Sequence, residues 1–306
     1  MIAGMKKRIK QFALIGPTAS GKSSLAVELA LELDALILSL DSLSVYREIE
    51  IASAKPKKKE RGGIPHYGID LIDPDEPFDV TLFSRLYREV FRQAGEEGKH
   101  LIIVGGTGFY LKVLIDGIST LPPANKETSK KVEFAMQDRS QAHTMLTKLD
   151  PDYMGKIAPG DTYRIEKALQ IYFSTGEKPS YYFRTHPPVP AIEDKLPIYR
   201  IEIDKPLLRE RIAERTGSML EEGLIDEVAF LEKKYSRSPK PMGAIGIIET
   251  LGYLDGYFDR DQLTEKISIH TARLAKRQTT FNRSQFAKHI AMEKEDLKKL
   301  ILKEQC

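Results

Sequence analysis

"LIGPTASGKSS", residues 14–24, holds the pattern G-x-x-x-x-G-K-S at 16–23. The apolar run 12–15 before it reads as a buried strand, and Gly21 onward opens a helical pattern with Leu25, Leu29 and Leu33 aligned. Strand, glycine turn and helix is the order that a phosphate-binding loop requires. Gly16 and Gly21 let the backbone turn its N–H groups inward, while Pro17, Thr18, Ala19 and Ser20 supply the amides or wall between them. The helix start adds a partial positive charge, Lys22 a full one, and Ser23 a hydroxyl suited to Mg²⁺. An ordinary glycine turn with an N-capping serine is the plain alternative, and the eight matched positions in their strand–helix context weigh against it.

Downstream, "ALILSLD" reads as a second strand ending at Asp41, and "YGIDLID" (67–73) as a third. An amphipathic helix carrying Phe83, Tyr87, Val90 and Phe91 follows, then "HLIIVGGTG", a strand running into glycines. Alternating β and α units predict a parallel sheet flanked by helices, an α/β fold of P-loop NTPase type. Its ligand site lies at the carboxyl ends of the strands, where Asp41, Gly105, Gly106 and Thr107 fall. Residues 119–196 differ, with polar helical stretches between Pro-rich ends ("TLPPANK", "THPPVPA") and no strand before "PIYRIEID". They predict a mostly helical insertion into a core of 1–118 and 197–306, although loops of one continuous domain would give the same prolines.

The chain has 306 residues, 41% hydrophobic, enough for one large or two ordinary domains. No run approaches a membrane span. The start, MIAGMKKRIK, is basic without an apolar signal region, and the single Cys306 excludes a disulfide or cysteine–zinc framework within the chain, so a cytoplasmic protein is expected. A net charge of +3 does not by itself demand an acidic partner.

A long helical pattern spans 206–235, with Leu208, Ile212, Met219 and Leu220 apolar and Arg211 and Arg215 one turn apart. Such an arginine pair clamps a diphosphate or merely pairs with Glu210 and Glu214 on the surface. In "ISIHTARLAKRQTTFNR", Ile267, Leu274 and Phe281 form one stripe, while Arg273, Lys276, Arg277, Thr280 and Arg283 gather on another. A solvated face is the usual reading of such charge, but no acidic residue interleaves after Glu265, which favours a nucleic-acid backbone. "KPKKKERGG" (55–63) is a second basic loop.

Taken together, GPTASGKS at 16–23, DSLSVY with ASAKP at 41–56, VGGTGFYLK at 104–112, DTYRIEKAL at 161–169, RIAERTGSMLEEGLIDEV at 211–228, AIGIIE at 244–249 and TARLAKRQTTF at 271–281 resemble the tRNA dimethylallyltransferase (isopentenyltransferase) family, of the bacterial type without a zinc finger. The resemblance implies transfer of a dimethylallyl group from its diphosphate to the exocyclic amine of the adenosine 3′-adjacent to the anticodon, the base being flipped out to be reached. By matching position, Gly16 to Ser23 with Arg211 and above all Arg215 would hold the diphosphate, Lys22, the loop amides and Ser23 with Mg²⁺ would stabilise charge on the leaving group, and Thr18 would lie near the reacting carbon. Asp41 would take the amine's proton. Ser42, Leu43, Ser44, Thr107 and the segment Tyr163, Arg164, Ile165, Glu166 and Lys167 would touch tRNA, and the basic face of Arg273, Lys276 and Arg277, already read from its charge, would meet the tRNA backbone. Family members commonly carry Gln where this chain has Ser44, Gly-Thr where it has Ala52-Ser53, Arg at Lys167 and Tyr at Ile247.

Two rivals use the same loop. A P-loop kinase would take Asp41 as a metal ligand or base, and a nucleotide-gated RNA-binding module would perform no chemistry. The strand "LIIV" ends in glycines rather than a metal-holding Asp, and a basic helix is superfluous for a small substrate; both favour the transferase, expected to act as a monomer.

Overall fold

In the computed structural model, residues 9–305 are described; the basic stretch 1–8 and Cys306 lie outside them. The chain divides into two compact units, 9–115 with 191–305, and 116–190. In order, the elements are β1 (Gln11–Ile15), α1 (Lys22–Leu33), β2 (Ala35–Leu40), β3 (His66–Tyr67), α2 (Val80–Glu97), β4 (His100–Gly105), α3 (Gly108–Asp116), α4 (Lys126–Met136), α5 (Arg139–Leu149), α6 (Pro151–Met154), α7 (Thr162–Thr175), α8 (Pro179–Thr185), β5 (Ile198–Ile201), α9 (Lys205–Glu221), α10 (Leu224–Tyr235), α11 (Ile247–Leu254), α12 (Arg260–Gln285), β6 (Ile290–Met292) and α13 (Lys294–Gln305).

The six strands form one parallel sheet in the order β3-β2-β4-β1-β5-β6. Successive side chains of its central strands point to opposite faces, and both faces are covered, so the strands read as continuous apolar runs. Ala13, Ile15, Leu36, Leu38, Leu40, Leu101 and Ile103 pack on one face with Phe83 and Tyr87 of α2, Leu111 of α3 and Val228 of α10. Phe12, Leu14, Ile37, Ile102 and Val104 pack on the other with Leu25 and Leu29 of α1 and Leu297 and Ile301 of α13. A buried Leu or Ile contributes about 1.5–3 kcal/mol, so this two-sided core is the main source of stability. It also fixes the carboxyl ends of β1, β2 and β4, the rim on which the loops sit.

Three expectations meet differences. "YGIDLID" is a strand only at its first residue, because β3 stops at Gly68 (φ +82), where a Cβ would lie 2.9 Å from the Ser39 carbonyl oxygen. The single helix expected over 206–235 is two, α9 and α10, parted by the left-handed Gly223 (φ 101). Strand β6 is an addition, a three-residue edge segment with exposed Ile290 and Met292. In α12 the buried positions are Leu263, Ile267, Ala275 and Asn282 rather than the stripe through Leu274 and Phe281.

The unit 116–190 consists of α4–α8 around Val132, Leu146, Met154, Ile157, Ile165 and Leu169. Asp150 ties it together, its Oδ1 accepting from Tyr153 N (3.2 Å) and its Oδ2 from Ser180 N (2.7 Å). Among the described residues no helix is long and apolar enough to cross a membrane.

Candidate active site

The loop after β1 is built for close packing. Gly21 adopts φ +85, and a Cβ on Gly16 would lie 2.9 Å from the buried Ser20 Oγ. Ala19 is also left-handed (φ 62), a conformation costing a non-glycine residue roughly 1–3 kcal/mol and typical of functional loops. Alternating handedness turns successive N–H groups to one side, a geometry able to hold an anion. Lys22 opens α1 and its Nζ donates to Pro17 O at 2.9 Å, which holds the ammonium over the loop. Ser23 is exposed at the first turn of the helix.

Helix α9 brings both arginines to this loop. Arg215 Nη1 donates to Thr18 Oγ1 at 3.3 Å, and Arg211 Nη1 would stand 3.8 Å from a Cβ on Gly21. The sequence left open whether these arginines face the loop or Glu210 and Glu214. Burial, then the neighbouring Arg215 charge, pulls the Lys22 ammonium down to about 8, with the Asp41 carboxylate opposing. Arg215 is itself lowered by burial, again opposed by Asp41. Two crowded cations and one carboxylate thus share the mouth of the loop, and an anion would relieve their mutual repulsion.

Asp41 follows β2 directly. Its Oδ1 accepts from Leu43 N (2.8 Å) and Ser44 N (3.3 Å), closing an Asx turn that presents Ser42 at the surface. Ser44 is buried, with its carbonyl accepting from Asp70 N at 3.1 Å, so its side chain is not a surface group. Thr107 N donates to Leu40 O at 3.1 Å, which sets Thr107 beside Asp41. In α12, Arg273, Lys276 and Arg277 are all exposed. In α7, Tyr163 and Arg164 are exposed and Glu166 and Lys167 half-buried, whereas Ile165 is fully buried in the helical core and offers no side chain to a partner.

Two participants escaped the sequence reading. Gln278 Oε1 accepts the Thr18 N–H at 2.8 Å; the available signal was a polar residue on the inner line of α12. Glu227 accepts from the backbone N–H groups of Glu50, Ile51 and Ala52 at 2.7–2.9 Å. Burial raises its carboxyl above the usual range, and those three donors partly offset the rise. It thereby pins the segment after the Asp41 turn, where the buried Lys55 also reaches Tyr46 O, Glu50 and Asp70. No sequence pattern pairs Glu227 with a stretch 175 residues upstream.

With this geometry, the comparisons with known proteins become decisive. A profile of the family described as IPP transferase matches residues 44–285. The chain belongs to the IPP transferase family. It is 57% identical over 298 residues to the tRNA dimethylallyltransferase of Sulfurovum sp. (strain NBC37-1), covering 97% of this chain and 99% of that one. It is 51% identical to the tRNA dimethylallyltransferase of Wolinella succinogenes, covering 91% and 93%. Among solved structures, the tRNA isopentenylpyrophosphate transferase of Bacillus halodurans matches with a TM-score of 0.71 at 30% identity, covering 97% and 98%. A eukaryotic dimethylallyltransferase crystallised acting on tRNA matches with a TM-score of 0.82 at 26% identity, covering 95% of this chain and 76% of that one. The six-stranded parallel sheet flanked by helices is thus the IPP transferase fold.

Proposed function

We propose that this chain transfers the dimethylallyl group of dimethylallyl diphosphate to the exocyclic amine of the adenosine at tRNA position 37, releasing diphosphate. The observation that carries this reading is the convergence of Lys22, Arg215, Thr18 and Asp41 on one loop mouth. In the reaction the C1–O bond of the isoprenoid breaks, its electron pair leaving with the diphosphate, while the adenine nitrogen forms a bond to C1 and gives up a proton. Lys22, the loop amides and Arg215 are aimed at the charge that develops on the leaving oxygens, where fixed donors stabilise most. Thr18 Oγ1 accepts from Arg215, which leaves its own proton available to a leaving-group oxygen. Asp41 Oδ1 is held by two amides, which leaves Oδ2 to accept the amine proton.

The donor set suits Mg²⁺. Among the described residues no cluster of three or more His, Cys, Asp or Glu could cage a metal, and Ser23 offers one hydroxyl oxygen beside the loop. Such a site fits an ion that keeps its waters and takes the rest of its oxygens from a diphosphate. Bound there, the ion would neutralise leaving-group charge.

The exposed basic side of α12 and the exposed Tyr163 and Arg164 of α7 are assigned to tRNA, the former through phosphates and the latter through stacking and charge. One chain carries every group the reaction needs, which supports a monomer, and a tRNA substrate supports a cytoplasmic location. The test is incubation with unmodified tRNA, radiolabelled dimethylallyl diphosphate and Mg²⁺, with ATP in parallel. Label entering tRNA supports the transferase; phosphate leaving ATP for a small acceptor supports a kinase instead.

A further inference from the structure

Gln278 lies on the inner line of α12, next in sequence to the exposed Lys276 and Arg277. Its Oε1 takes the Thr18 N–H at 2.8 Å, and its Nε2 fills the space where a Cβ on Gly106 would stand 2.4 Å away. One amide side chain therefore spans the loop after β1 and the glycine turn after β4, and it fits because residue 106 has no side chain. The residue whose amide it holds, Thr18, is the one that Arg215 reaches.

We propose that Gln278 is a positioning residue that links α12 to the diphosphate loop: by holding the Thr18 amide it sets the Thr18 hydroxyl against Arg215, and RNA seated on α12 tightens that setting. This rests on the assignment of α12 to tRNA. A link of this kind is reciprocal, so RNA strengthens diphosphate binding by the same factor as diphosphate strengthens RNA binding.

The experiment measures the affinity of inorganic pyrophosphate with Mg²⁺, with and without an anticodon stem-loop RNA, in the native enzyme, Gln278→Ala, Gly106→Ala and the double variant. Gly106→Ala displaces the amide without deleting it, so it decides the question alone if Gln278→Ala fails to fold. The native enzyme is expected to show coupling of roughly 5–150-fold. Each single variant should bring the factor toward one and slow single-turnover transfer by roughly 10²-fold, the effect of a misplaced group. RNA affinity should be retained, and the double variant should be no worse than either single one, because both act through one contact. A native factor of one, variants that keep coupling and rate, or losses that multiply in the double variant would overturn the proposal. If neutralising Arg273, Lys276 and Arg277 leaves RNA binding intact, the tRNA assignment fails instead. The positioning role then stands or falls on whether Gln278→Ala weakens pyrophosphate binding without RNA.

Discussion

Arg215 Nη1 donates to Thr18 Oγ1 at 3.3 Å, joining α9 to the loop after β1 across 197 residues of sequence. A planar guanidinium can hold the hydroxyl and a phosphate oxygen at once, which a lysine ammonium does with poorer geometry. Arg215→Lys should therefore keep a positive charge yet lose about 10²–10³-fold in transfer rate, the range seen when one aimed donor is removed. Single-turnover kinetics at saturating tRNA checks this, and Arg211→Lys, farther out at Gly21, should cost less.

The Lys22 ammonium, drawn down to about 8 by burial and then by Arg215, gives the site a pH dependence. On the proposed assignment the charged form binds diphosphate, so affinity should fall as pH rises above about 8 in the free enzyme. The slope should approach tenfold per pH unit, measured by calorimetric titration from about pH 6.5 to about 9.5. Lys22→Arg should flatten it, since a guanidinium keeps its proton. The sign for stability is opposite. Between about 8 and 10.5 the folded protein binds fewer protons than the unfolded chain, so this residue's contribution to stability rises with pH across that window and its cost is fully present below it. Lys22→Met should accordingly raise the melting temperature at neutral pH while abolishing transfer.

The turn that Asp41 closes and the proton acceptance proposed for it can be separated by substitution. Asp41→Asn keeps an Oδ1 acceptor for Leu43 N and Ser44 N, so the melting temperature should hold while transfer falls by about 10²–10⁴-fold. Asp41→Ala loses the turn as well and should cost about 1 kcal/mol of stability in addition. Calorimetry beside rapid-quench measurements distinguishes the two.

Replacing Arg273, Lys276 and Arg277 by neutral residues removes an exposed basic face from α12. Each lost phosphate contact should reduce the slope of log affinity against log salt by about 0.7–0.9, with dimethylallyl diphosphate binding spared. Anisotropy titrations over a salt series provide the check.

Glu227→Ala would leave three backbone N–H groups at 50–52 without their acceptor. Stability should fall by about 1–3 kcal/mol or more, and the turn at Asp41 should loosen. Hydrogen exchange localised to residues 41–54 should rise ahead of the sheet.

Much of the sheet could be read because local pattern determined it. The strands at Phe12, Leu36 and Ile102 are apolar runs that end in glycines or an aspartate, and a strand buried on both faces needs no partner to be recognised. The edge strand at 290–292 has no such run and exists only through pairing with β5. The loop from Gly16 to Ser23 was legible as a tight turn between strand and helix because glycine spacing encodes backbone geometry, and Gly21 is left-handed there; the anion it would hold belongs to the proposed function. Arg215 was ambiguous from spacing alone, since surface pairing with Glu210 and Glu214 explained it as well or better; the family resemblance pointed it at the diphosphate, and the fold sets it against Thr18. Gln278 and Glu227 went unread for a different reason. Their partners are backbone amides far away in sequence, and an amide has no side-chain signature.

The contacts that finish the loop span 197 residues to Arg215 and 260 to Gln278. Such closures carry more entropic cost than the pairing of β2 with β3 and about as much as that of β1 with β5, so the loop's distant partners are expected to arrive with the completed sheet rather than before it. Local fraying that draws Arg215 or Gln278 away from the loop would leave the core that packs on the sheet in place, so inactivation by heat or denaturant should precede loss of the sheet's circular dichroism.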